Sequence, residues 1–133
     1  MHELVMRIKD ADRCHIFAQN AIERGHPELA IESHRRAVDI RAEQHAEGSE
    51  AEQMAMRAFF AYEEALSYQH GKRKRATGTW QLVNRHGILP ALLKRLESKS
   101  VEEMLPVLKE LNMEDYSIQK VASTYADDIR ASA

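Results

Sequence analysis

The sequence predicts an all-α fold: six or seven antiparallel helices forming a single helical domain over residues 1–133, with repeat-like helices over 1–70 and a basic joint plus C-terminal helices over 71–133. Three observations carry this reading. Four of the five glycines, Gly25, Gly48, Gly71 and Gly87, fall where apolar-periodic segments stop, the place for a helix cap. Between them, apolar residues recur at steps of three and four, the spacing of one helix face. No stretch of useful length alternates apolar and polar residues as a strand would.

Each helix has its own signals. Leu4, Ile8, Ala11, His15, Ala18 and Ile22 form one stripe of a first helix ending near Gly25. Pro27 suits the first turn of a second helix, which runs through Leu29, Ala30, Ala37, Val38 and Ile40 towards Glu47. Ser49 and Glu52 have the spacing of a capping box for a third helix reaching His70, whose face of Met54, Ala55, Ala58, Phe59, Tyr62, Ala65 and Leu66 is the strongest apolar stripe in the chain. Thr79 is placed to cap a short helix through Arg85, closed by a left-handed Gly87. Ile88, Leu92, Leu93 and Leu96 mark the next helix, with Pro90 in its first turn. Ser100 with Glu103 repeats the capping-box spacing before Val101, Met104, Leu105, Leu108 and Leu111, a pattern that Pro106 should kink or break. Ile118, Val121, Ala122, Tyr125 and Ile129 define a final helix.

Composition limits the class of protein. Hydrophobic residues make up 44% and charged residues 30% of 133, enough to bury a core without staples, and no apolar run reaches the 18 or so residues of a membrane span. The N-terminal segment carries acids in its first turns, unlike a signal or transit peptide, and the one cysteine, Cys14, has no partner for an intrachain disulfide. A cytoplasmic protein is expected. Net charge is −2 but unevenly spread: residues 1–64 hold 13 acids and 8 bases, residues 65–96 hold 7 bases and no acid, and residues 97–133 hold 8 acids and 4 bases. The middle band is either a solvated joint or an anion-binding surface.

The run GHPELAIESHRRAVDI, residues 25–40, together with Ala18, resembles a tetratricopeptide repeat, in which two antiparallel helices meet through small residues. Gly25 matches the glycine of the turn, Ala30 and Ala37 the alanines of the second helix, and Ala18 the small residue of the first. Ala21 and His34 stand where the repeat has aromatics, and Ala42 where it closes with proline. One repeat, over residues 14–42, is matched; its second unit, sought from Gly71 to Ala76, is degenerate. The resemblance implies a helical hairpin with a groove for a partner chain, completed by C-terminal capping helices. The segments HGKRKRATGTWQLVNRHGI and LNMEDYSIQKVASTYADDI also resemble parts of small bacterial helical proteins of unassigned role, so no functional residue comes over from them.

No catalytic signature is present: there is no glycine-rich phosphate loop or nucleophile elbow. Cys14 beside His15, and Glu63 beside Glu64, are neighbours that point about 100° apart on a helix, so neither makes a catalytic pair, and Cys14 reads as a half-buried structural cysteine. Seven histidines invite a metal hypothesis, but no His-x-x-x-His pair exists and Glu-x-x-His occurs only at Glu23 with His26, beside Asp12 with His15. No catalytic, cofactor or metal residue is therefore assigned. The expected function is a non-catalytic protein-protein interaction or scaffold module, with Arg35, Arg36 and Arg41 near the groove and the cations Lys72, Arg73, Lys74, Arg75 and Arg85 as contacts for a protein, peptide or anion. A homodimer would hide the faces that a short repeat array leaves open. The alternative is a nucleic-acid-associated protein using residues 72–85, with Lys72 to Arg75 on phosphates and Gln81, Asn84 and Arg85 on base edges. Trp80 then stacks on a base; otherwise it plugs the core.

Overall fold

The computed structural model describes residues 1–132, whose regular structure is all helical, with no strand among them. Nine α-helices follow in order: α1 (Glu3–Met6), α2 (Ala11–Glu23), α3 (Pro27–Gln44), α4 (Glu50–His70), α5 (Thr77–His86), α6 (Ile88–Leu96), α7 (Lys99–Glu110), α8 (Ile118–Thr124) and α9 (Ala126–Ser132), with a 3-10 turn at Glu114–Tyr116 between α7 and α8. No helix among the described residues is long and apolar enough to cross a membrane.

The helices outnumber the six or seven expected because two expected helices are each split. Asp10 interrupts the first: its carboxylate accepts from the backbone N–H groups of Asp12 (2.8 Å) and Arg13 (3.3 Å) and so starts α2 afresh. The buried stripe of α2 is accordingly Cys14, Ala18 and Ala21, while Leu4 and Ile22, which the single-helix stripe placed on the apolar face, are exposed. The last expected helix breaks at Tyr125 into α8 and α9.

Other local signals act as the sequence predicts or are displaced by a residue or two. Pro27 opens α3, and Ser49 with Glu52 forms the full capping box of α4, with Glu52 N–H donating to Ser49 Oγ at 3.2 Å and Ser49 N–H to Glu52 Oε1 at 3.0 Å. Gly71 ends α4 at φ +73; space is open around it, so the need for glycine there is conformational. Thr79 is no cap: α5 begins at Thr77, and Thr79 is buried in its first turn. Gly87 has φ 92 and ψ 171, a positive φ but an extended ψ, and joins α5 to α6 through a single residue. Ser98, not Ser100, precedes α7; the Ser100 hydroxyl instead accepts a hydrogen bond from Tyr62 Oη at 2.9 Å. Pro106 does not end α7, because it and Glu102, whose carbonyl loses its donor, are both exposed to water.

Helix α4 is the hub. Buried residues occur all round it, including Ala55, Ala58, Phe59, Phe60, Ala61, Tyr62 and Ala65, because α3 packs against it from the N-terminal half and α6, α7 and α8 from the C-terminal half. The large core, with Phe59, Leu92, Leu111, Met113 and Ile118 fully buried, lies on the C-terminal side. The N-terminal side is built from small residues: Ala18, Ala21 and Ala30 meet between α2 and α3, as do Cys14, Ala37 and Ile40. Close approach of α2 to α3 leaves α2 standing off from α4, and a groove separates the two.

Candidate functional site

Three polar residues interrupt the apolar faces that line this groove. His15 comes from α2, His34 from α3 and Glu64 from α4. Their side chains converge on one carboxylate: His15 Nε2 lies 3.0 Å from Glu64 Oε1 and 2.8 Å from Oε2, and His34 Nδ1 lies 2.7 Å from Oε2. Arg41 of α3 completes the cluster, its Nη1 donating to Oε1 at 3.4 Å. The Glu64 side chain is only 2% exposed, so its charge depends on these partners. Burial pushes its pKa up, but the hydrogen bonds and charges of His15 and His34 outweigh this and bring it down to about 2.

The cluster opens into the α2–α4 groove, about 650 Å³, which is lined on its apolar side by Ile16, Ala18, Ile22 and Tyr68 and at its mouth by Asp12, Lys72 and Arg73. The edge of the Tyr68 ring meets His34, with ring centroids 5.2 Å apart and planes at 81°. Ile16 and Ile22 are 61% and 57% exposed, a pair of large apolar side chains left uncovered about 1.7 turns apart.

Glu63, one residue earlier on α4, points the other way. Its Oε2 accepts from the Ala76 backbone N–H at 2.8 Å and from Trp80 Nε1 at 2.7 Å, with Arg75 Nε 3.6 Å away. It thereby fastens the basic loop and α5 to α4. Trp80 is partly buried against Phe59 and Phe60, at centroid distances of 6.0 and 4.9 Å, and acts as a plug held by its own N–H.

The eight cations singled out from the sequence divide among different duties. Arg35 grips both carboxylate oxygens of Asp115 at 2.8 Å, donates to the Asn112 carbonyl and covers the Tyr116 ring, clamping α3 to the turn before α8. Arg36 donates to the Ile8 carbonyl at 3.1 Å, fixing the segment between α1 and α2. Arg41, expected as an exposed contact, is buried beside Glu64. Lys74 lies 3.2 Å from His70 Nε2, and Arg75 turns to Glu63. Arg85 is exposed on α5, while Lys72 and Arg73 line the groove without an ion-pair partner among the described residues.

Cys14 is fully rather than half buried, and burial pushes its thiol up to about 11, which keeps it protonated and inert at neutral pH. Spacing within one helix argues against a metal site, whereas the donor atoms of His15, His34 and Glu64, on three helices, lie within 4.8 Å of one another. Sequence reasoning missed this set. The available signal was polarity out of place: His15 sits in the first apolar stripe, His34 takes an aromatic position of the repeat pattern, and Glu64 falls within the buried run AFFAYEEA. No family model matches the chain, and no curated protein or solved structure matches it.

Proposed function

We propose that the chain is a non-catalytic interaction module of the cytoplasm whose α2–α4 groove receives an acidic segment of another protein, extended or helical, that also carries apolar side chains. The α2–α3 hairpin, joined through small residues at Ala18, Ala30 and Ala37, supports a tetratricopeptide-like reading in which the groove is the working surface. The observation that carries the proposal is the composition of the groove: uncovered Ile16 and Ile22 on one wall, and at the mouth Lys72 and Arg73, two cations with no ion-pair partner among the described residues. An acidic and apolar segment satisfies both at once.

The nucleic-acid alternative draws on the same basic run but has fewer cations to use. Lys74 and Arg75 are turned towards His70 and Glu63, which favours a compact peptide contact over a track of phosphates.

Selection of random peptides on the full chain tests the proposal. Acidic sequences carrying leucine or isoleucine should be enriched on the wild type and lost on the double variant Lys72→Glu, Arg73→Glu. Equal enrichment on both proteins would refute it, as would a gel shift with mixed DNA and RNA that the wild type shows and the peptides do not compete.

A further inference from the structure

We infer that His15, His34 and Glu64 form a binding site for a divalent transition-metal ion at the floor of the α2–α4 groove, with zinc the natural probe. The inference stands on these donors and does not need the peptide reading of the groove. Two imidazoles and one carboxylate are a donor set that zinc and non-haem iron take, leaving further coordination positions open. Bonds of about 2.0–2.2 Å to such an ion set neighbouring donor atoms roughly 3.0–3.5 Å apart. Here His15 Nε2 and His34 Nδ1 lie 2.8 and 2.7 Å from the same atom, Glu64 Oε2, so each nitrogen–oxygen distance opens by only a few tenths of an ångström. All three donor atoms lie within 4.8 Å of one another, from which a rotation of the part-exposed His15 ring closes them on one ion.

Charge balance distinguishes this cluster from an ordinary buried ion pair. Arg41 already supplies one positive charge to Glu64, at the other oxygen, Oε1. A structural pair is complete at that point, yet two imidazoles from two further positions meet on Oε2. Arg41 is placed to hold the carboxylate in orientation while leaving Oε2 to the ion, the part a supporting hydrogen bond plays around many metal sites. Without metal, the imidazoles hold the carboxylate by carrying protons on Nε2 of His15 and Nδ1 of His34. With metal, those nitrogens are bare and the ion replaces the shared protons. Entry is open from the groove, because His15 is about one third exposed while His34 and Glu64 are nearly covered.

The test uses full-length, tag-free protein stripped with chelator and titrated with zinc against a competing chromogenic chelator. One equivalent should bind, and His15→Gln, His34→Gln and Glu64→Gln should each weaken that equivalent roughly tenfold to a hundredfold. His86→Gln, on an exposed residue of α5, should leave it unchanged. Because His34 and Glu64 variants could lose their fold, circular dichroism accompanies each, and the part-exposed His15 variant is decisive by itself. Cobalt(II) on the wild type needs no variant: visible ligand-field bands without a thiolate charge-transfer band place the ion on nitrogen and oxygen donors. Absence of stoichiometric binding, binding unaffected by His15→Gln, or a thiolate band from Cys14 would each overturn the inference.

Discussion

Glu63 and Glu64 are chemically identical, adjacent on α4 and almost equally buried, yet they serve opposite halves of the molecule. Glu63 looks towards α5, where backbone and indole N–H groups close around it and leave no access. Glu64 looks towards α2 and α3, where titratable side chains meet it at the floor of an open groove. The rotation of about 100° between successive helix residues is all that separates them. The difference teaches that burial alone does not distinguish two carboxylates: one facing fixed donors is a fastening, and one facing imidazoles beside a cavity is a candidate site.

The largest break in this comparison should come from Glu64→Gln. It leaves the Arg41 guanidinium buried without its anionic partner, and unfolding in urea should show a loss of about 3 kcal/mol. Acid titration sharpens the same point. Glu64 is held at about 2 in the folded chain against an ordinary 4.5, so its contribution to stability is full above pH 4.5 and is lost as pH falls from there towards 2. Denaturant unfolding across that range should show a shallower pH dependence in Glu64→Gln than in the wild type.

A smaller effect is expected for Glu63→Gln, about 1–2 kcal/mol, because the amide oxygen can still accept from Ala76 and Trp80 but loses charge assistance. Its signature is local: emission of Trp80, the one tryptophan, should shift in Glu63→Gln and stay put in Glu64→Gln. Arg75→Gln should change stability least, by no more than about 0.5 kcal/mol, since its side chain is 64% exposed and its ion pair with Glu63 is screened by water. If Arg75→Gln matched Glu63→Gln in urea, the fastening would depend on the ion pair and not on the two N–H donors.

Much of the fold was legible in the chain. The capping box at Ser49 and Glu52, the Pro27 start and the Gly71 stop all appear at the residues that signal them, because a cap is satisfied within one helical turn. The capping signal at Ser100 failed because α7 already starts at Lys99, and the Ser100 hydroxyl inside its first turn is engaged by Arg95 and Ser98 and by Tyr62, 38 residues earlier, a partner that spacing within a turn contains no information about. The stripe drawn from Leu4 into α2 failed for a local reason that the chain did contain, the N-capping carboxylate of Asp10, whereas Ile22, in register with the buried Ala18, is exposed because it lies on the groove between α2 and α4. The charge of Arg41 suggests a groove contact, but α4 brings Glu64 beside it and makes it a buried partner.

The sequence by itself determined an all-helical protein and the joints between most of its helices. Those properties rest on φ preferences, caps and periodicity, which operate over a few residues. Only the tertiary structure decided the site. His15 and His34 lie 49 and 30 residues from Glu64, and what brings them to one oxygen is that α2 packs on α3 through alanines while α3 packs on α4, a three-body geometry that no local pattern encodes.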